Sequence, residues 1–239
     1  MLANLFARRD SLKRMEEKRV AMLQKNCVPE SVAPLFQHPV PQSDCLMSNL
    51  QIVALDFETT GLDPDVDSIL SAGMVEMYKQ RVRLLESEHF YFSPRHEVNA
   101  KTAVVNHICP EMLQQGVSLK EGMRRVIDVI AGKVVLSHAS CIEQQFIRAA
   151  LGLKPNSFLP IVWLDTLMLE KSLTRNWRGG RKDYRLCTIR KEKGLPAYLA
   201  HNSLADSIAT AELCLVLMRE ICAPEKPTLG PLFQRSANG

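Results

Sequence analysis

The sequence has no C-x-x-C pair, no internal repeat, no low-complexity tract and no apolar run approaching the roughly 20 residues that span a bilayer. The first absence matters because there are seven cysteines, Cys27, Cys45, Cys109, Cys141, Cys187, Cys214 and Cys222. An odd, unpaired set argues against a disulfide framework or a zinc site and for a reducing, cytoplasmic setting. We expect these thiols to serve mostly as small core hydrophobes. The missing apolar run predicts no membrane contact. Charge is also nearly balanced, at a formal +4, so net charge alone does not demonstrate a polyanionic partner.

What is present is 239 residues with 46% apolar content, enough for one substantial core plus decoration. The amino-terminal stretch is basic and amphipathic, but Asp10, Glu16 and Glu17 break the acid-poor pattern of a mitochondrial presequence. A helix over about 5–25, docked on the domain, is expected instead. It is followed by a connector, CVPESVAPLFQHPVPQSD, whose four prolines predict no regular structure. The reading therefore divides the chain into 1–46, helix and connector; 47–222, a compact domain; and 223–239, a loose tail with three prolines.

Within the compact domain, QIVALDF reads as a buried strand, followed by extended runs in ILSAGMVEMYKQ and RVRLLESEHFYFSP with a tight turn near 79–81. From 99 to 132 the pattern is helical, and Met123, Val126, Ile127 and Ile130 share one face. KVVLS is a short buried strand expected parallel to the first, because a helical crossover leads to it. A helix over 142–151, a fifth strand in PIVWLDT, and helices after Asp165, over 186–193 and over 204–222 complete the order. The expected fold class is α/β: a mixed five-stranded sheet with helices on both faces, ribonuclease-H-like in its order, plus an amino-terminal helical extension.

The chemistry concentrates in ALDFETTGLD, 54–63. Alternation along a strand puts Asp56 and Glu58 on one face, about 7 Å apart at Cα. Ionised carboxylates beside IVAL are costly to bury without compensation, and hard oxygen donors suit Mg²⁺ or Mn²⁺. Several such acids together suit a pair of ions about 4 Å apart. Two further acids are candidates, Glu143 and Asp206. Each also has a plainer reading: Ser140-x-x-Glu143 is a capping-box pattern and Ser203-x-x-Asp206 resembles one.

D-x-E-T-T-G-L-D, then S-H-A-S-x-x-E-x-x-F, then H-x-x-x-x-D before A-T-A-E-L together resemble the three motifs of the histidine branch of the DEDD exonuclease superfamily, which includes proofreading epsilon subunits of bacterial DNA polymerase III. The likeness runs from about Gln51 to Leu217, and AVVNHICPEML and WLDTLMLEK resemble subsidiary family segments. It implies two metal ions held by Asp56, Glu58 and Asp206, with Glu143 in the fourth acidic position and His201 as general base. An imidazole, with an ordinary pKa near 6.5, is suited to take a proton from water at neutral pH. Thr59, Thr60 and Leu62 fall where the family receives the 3′-terminal nucleotide. The implied reaction releases nucleoside 5′-monophosphates from a DNA or RNA 3′ end, single-stranded by expectation.

Two departures stand out. Glu143 replaces the family's aspartate with a side chain one methylene longer, and Asn106-His107 stands where the family reads His-Gly. His138 keeps only the histidine of a family His-Asn pair, and packing is its expected role. The substitution at 143 motivates a rival reading, a catalytically weak domain that binds nucleic-acid ends or serves a polymerase or repair partner. Finally, 171–193 carries nine Lys or Arg against two acids, with Trp177 and Tyr184 interleaved. It reads either as a single-strand path or as a solvated loop.

Overall fold

A computed structural model describes residues 11–93, 108–176, 178–179 and 182–238. Its centre is a five-stranded sheet in the order β3-β2-β1-β4-β5. The strands are β1 (Ile52–Thr59), β2 (Ile69–Tyr78), β3 (Arg81–Tyr91), β4 (Val134–Ser137) and β5 (Val162–Asp165). β1, β2 and β3 form an antiparallel meander, while β4 and β5 run parallel to β1. The mixed sheet follows from connection length. Lys79 and Gln80, both at positive φ, make the short turn from β2 to β3, whereas β4 is reached through helices.

The helices are α1 (Ser11–Gln24), α2 (Ala33–Phe36), α3 (Pro110–Gln114), α4 (Leu119–Ile130), α5 (Cys141–Ala150), α6 (Thr166–Leu173), α7 (Leu186–Glu192), α8 (Ser203–Cys222) and α9 (Leu229–Asn238). Alternation along β1 divides the core in two. Ile52 and Ala54 pack with Ala209, Leu213 and Leu217 of α8, while Val53, Leu55 and Phe57 pack with Met123, Val126 and Ile127 of α4 and with Phe146 and Ile147 of α5. Asp56 and Glu58 therefore continue the face that α8 covers.

Three expectations need correction. The connector is not irregular throughout: a 3₁₀ turn over Glu30–Val32 leads into α2, and Val32, Leu35 and Phe36 are buried. Pro34 sits in the first turn of α2, where a missing N–H leaves no bond unmade. The tail is not loose. Pro224 and Pro227 precede α9 and Pro231 lies in its first turn, so none interrupts it, and Leu229 and Leu232 are fully buried. Nor are the cysteines mainly core residues, since only Cys214 is buried and Cys27, Cys109, Cys141 and Cys187 are exposed. A small apolar residue is tolerated inside without being required there.

Of the first helix, Ser11–Gln24 lies within the described residues. It docks through Leu12 and through the buried Arg19, which donates to the Phe36 carbonyl and pairs with Glu16; that carboxylate also accepts from the Val40 N–H at 2.8 Å.

One small residue decides how closely α8 approaches the sheet. Gly73 lies opposite Asp56 in the β1–β2 register, and a Cβ on it would fall 2.1 Å from the Ser203 carbonyl carbon. The absent side chain lets Ser207 Oγ donate to the Gly73 carbonyl at 2.7 Å and brings Ser203 Oγ within 2.9 Å of Ser71 Oγ. Because the obstructing atoms are backbone, Gly73→Ala is expected to cost about 3 kcal/mol as an overpacked contact. For a chain of this size that lowers Tm by roughly 10 °C. Thermal unfolding checks it, and an unchanged Tm would mean that α8 is free to shift.

Candidate active site

The end of β1, the start of α8 and the first turn of α5 meet at one end of the sheet. Asp56, half-buried, and Glu58, buried, project from β1, and Asp206 from α8 reaches them. One carboxylate oxygen from each of these three lies within 4.8 Å of the other two. Asp206 is held on both oxygens: Oδ1 accepts from the Tyr198 hydroxyl at 2.7 Å and Oδ2 from the Asn202 N–H at 3.0 Å. The plainer reading of Asp206 is thus partly met. Asn202 is the N-cap, its Oδ1 accepting from the Ala205 N–H at 3.1 Å, and Asp206 answers by binding the cap's backbone while also joining the acidic cluster.

Glu143 behaves differently from a capping-box glutamate. Ser140 is the N-cap of α5, but its side chain makes no cap hydrogen bond and instead donates to Asp165 Oδ2 at 3.1 Å. Glu143 is 3% exposed, and among the described residues its Oε2 has no hydrogen-bond partner. Burial pushes its carboxyl up to about 8; the Asp165 charge adds to that, and hydrogen bonds from its own and the Phe57 N–H only partly offset it. Since Phe57 lies between Asp56 and Glu58, this side chain approaches the acidic strand end from the opposite core. Asp165 fixes where α5 begins by accepting from the Ala139 and Ser140 N–H groups, and it caps α6 through the Leu167 N–H.

The four acids press on one another. Burial, then the charges of Glu143, Asp206 and Glu58, hold Asp56 well above the ordinary carboxylate range. Burial and Asp206 push Glu58 up to about 8, and burial also raises Asp206. Such a set is relieved by a cation. Hard oxygen donors, mutual repulsion and the orphaned Glu143 oxygen all fit a divalent metal of the Mg²⁺ or Mn²⁺ kind.

A pH dependence follows. Glu58 and Glu143 hold their protons in the folded chain up to about pH 8 but lose them near the ordinary 4.5 once unfolded. Between those limits the folded state binds more protons, so metal-free stability falls as pH rises through the window. Melting curves from pH 5 to 8 should show that decline, with added Mn²⁺ restoring most stability at the alkaline end. A metal-free Tm that rises across this range would contradict a buried acidic cluster.

Other candidates are spread around the cluster. His201 is exposed, at φ +64°, and lies next to Asp206, which the hydrogen bonds from Tyr198 and Asn202 help to hold down against burial. It lines a cleft of about 1260 Å³ together with Asp206, Tyr198, Arg175 and Arg185. Thr59 Oγ1 donates to the Gly61 carbonyl at 2.6 Å, Thr60 Oγ1 donates to Asp67 Oδ1 at 2.7 Å, and Leu62 is 73% exposed. Gly61 leaves room for the Asp67 carboxylate, which would lie 2.4 Å from a Cβ there. His138 is engaged on both ring nitrogens, Nδ1 with Thr166 Oγ1 at 2.8 Å and Nε2 with the Tyr184 carbonyl at 2.9 Å, which suits the packing role expected of it.

The basic segment is less available than its composition implies. Lys182 and Lys193 close on the buried Glu170, Arg190 pairs with Glu212, and Arg185 pairs with Asp183. Trp177 and Arg181 lie outside the described residues, as do Asn106 and His107. Lys182→Ala is therefore expected to lower stability by on the order of 2 kcal/mol, by leaving a buried carboxylate with Lys193 alone. Chemical denaturation measures this. An unaltered midpoint would return Lys182 to the solvated surface.

Three residues shape the site beyond those the sequence assigned to it, Gly73, Asp165 and Tyr198. Asp165 did carry a signal, a strand-ending Asp-Thr before a helix. The other two stand in no motif.

A family model described as Exonuclease matches residues 53–214. The chain belongs to this exonuclease family. Membership expected from three short motifs thus holds over most of the compact domain. The chain is 28% identical over 172 residues to a DNA polymerase III of the PolC type from Thermotoga petrophila, a match covering 72% of this chain and 12% of that one. It is 26% identical over 165 residues to a DNA polymerase III subunit epsilon from Treponema pallidum, covering 69% and 75%. Among solved structures, an exonuclease I gives a TM-score of 0.62 at 18% identity over 78% of this chain and 43% of its own. An E. coli exonuclease I with zinc and single-stranded DNA gives 0.61 at 18% identity, over 72% and 41%. These structures establish the ribonuclease-H-like exonuclease fold. The chain spans only a small part of the PolC-type relatives and less than half of the exonuclease I chains.

Proposed function

We propose that this chain is a divalent-metal-dependent 3′–5′ exonuclease that removes nucleoside 5′-monophosphates from nucleic-acid 3′ ends, with residues 47–222 as the exonuclease domain. The observation that carries this reading is the meeting of Asp56, Glu58 and Asp206 within 4.8 Å, beside a cleft lined by His201. Asp56, Glu58 and Asp206 would hold the metal, with Glu143 supplying a fourth negative charge. When bound, two Mg²⁺ or Mn²⁺ ions activate water and stabilise charge on the phosphoryl and leaving oxygens. His201, on the exposed rim, accepts the proton of the attacking water. Thr59, Thr60 and the exposed Leu62 receive the terminal nucleotide, where an apolar side chain in solvent has a base to cover. The cleft admits a single strand. The named relatives are polymerase chains, so a replicative or repair polymerase is the partner class we favour.

The test is hydrolysis of 5′-labelled oligonucleotides, DNA and RNA, single- and double-stranded, with Mg²⁺ and with Mn²⁺. Shortening from the 3′ end with mononucleotide release is the expected result. Binding of ends without shortening under either metal would favour the catalytically weak reading that Glu143 motivates. His201→Asn, chosen because Asn tolerates the left-handed backbone, should slow turnover by about 10² while Ca²⁺-supported binding is unchanged. Equal loss of binding and turnover would make His201 structural.

A further inference from the structure

We propose that Tyr198 is a positioning residue for the metal site, a role that rests on the metal-dependent reading above. Its hydroxyl donates to Asp206 Oδ1 at 2.7 Å, on the carboxylate that joins Asp56 and Glu58. The opposite oxygen is fixed by the Asn202 N–H at 3.0 Å, so the two donors together set the rotation of the Asp206 carboxylate. Backbone N–H groups, of Asn202 and also of His201, supply the other contacts, and Tyr198 supplies the side-chain donor.

The tyrosine is itself held from behind. The Arg190 guanidinium lies 5.0 Å from its ring centroid, within cation–π range. Arg190 is 2% exposed and anchored by Nη1 to the Ala209 carbonyl at 2.7 Å, and by Nη2 to the Pro196 carbonyl at 3.1 Å and to Glu212 at 2.8 Å. Ala209 and Glu212 belong to α8, the helix that carries Asp206, and Pro196 lies in the loop that carries Tyr198. The guanidinium thus locks α7, the 194–202 loop and α8 into one unit, and the Tyr198 hydroxyl is its last contact before the acidic cluster. Asp206 stands in the first turn of α8 beside the exposed 194–202 loop, where an unrestrained carboxylate would rotate. A charge-assisted hydrogen bond of this length supplies the restraint.

Tyr198→Phe removes only the hydroxyl and keeps the ring over Arg190. Loss of a hydrogen bond to a charged group should weaken Mn²⁺ binding to the nucleic-acid-free protein by about tenfold, measured by electron paramagnetic resonance. It should raise the Mg²⁺ concentration for half-maximal hydrolysis by a similar factor, with kcat at saturating Mg²⁺ within about threefold of the parent and oligonucleotide affinity in Ca²⁺ unchanged. A merely structural tyrosine would lower Tm and kcat together and leave metal affinity alone. Unchanged Mn²⁺ affinity in Tyr198→Phe overturns the proposal, as does a parent chain that binds no Mn²⁺. A parent that binds Mn²⁺ but hydrolyses nothing would defeat the exonuclease reading and leave the Mn²⁺ comparison to decide the role of Tyr198.

Discussion

Asp56→Asn is expected to abolish metal-dependent hydrolysis and, in the absence of metal, to make the protein more stable. Both effects have one cause. Asp56 is the acid on which the other three act, Glu143, Asp206 and Glu58 all adding to burial in disfavouring its ionised form. Asparagine keeps the shape and one acceptor while removing the charge that the cluster can least support. Without metal the relief of repulsion should raise Tm, most at pH 8, where the neighbouring carboxyls also begin to ionise. With metal the site lacks the charge that would hold it, and stabilisation worth several kcal/mol disappears from the transition state, a factor on the order of 10³ or more in rate. Melting with and without Mn²⁺, beside turnover, checks both halves. Near-normal turnover with unchanged Mg²⁺ dependence would remove Asp56 from the site.

What the sequence made legible here was whatever depends on short range. Alternation in IVALDFET placed Asp56 and Glu58 on one face, and a run as brief as VVLS was enough for β4 because both its faces are covered by helices. His201 and Asp206 share a loop-helix junction, so their proximity needed no fold. What was illegible depends on partners from distant segments. Gly73 looks like any strand glycine until α8 is laid across it. Lys182 and Lys193 look like free positive charge until Glu170, contributed by α6, is seen buried between them. In the connector and tail the position of each proline matters more than the number: at a helix start a proline interrupts nothing, and Leu35, Phe36, Leu229 and Leu232 give those segments apolar surface to bury. Tyr198 has no motif because its role is defined by one hydroxyl meeting one carboxylate.

Glu143→Gln separates the two remaining accounts of the fourth acid. In the metal-free chain burial already holds this carboxyl up to about 8, so near pH 6 it is neutral, and glutamine imitates that protonated form closely. Metal-free stability at pH 6 should therefore not fall and should rise modestly, since glutamine folds without the proton uptake that Glu143 requires, whether that residue is a packing residue or part of the metal site. The accounts divide once metal is added. A neutral amide cannot replace the negative charge that the four-acid reading requires, so hydrolysis at fixed Mg²⁺ should fall by on the order of 10² to 10³ and the Mg²⁺ requirement should rise. Glu143→Asp restores both the charge and the residue the wider family carries, but it draws the carboxylate back by one methylene toward α5. Because Asp165 fixes the start of that helix through the Ala139 and Ser140 N–H groups, the helix has little freedom to follow. The aspartate variant should accordingly be intermediate in turnover and favour Mn²⁺, whose coordination is less exacting than that of Mg²⁺. Nearly parental Mg²⁺-dependent hydrolysis by Glu143→Gln would leave a site built on Asp56, Glu58 and Asp206 alone, with Glu143 reduced to a buried side chain.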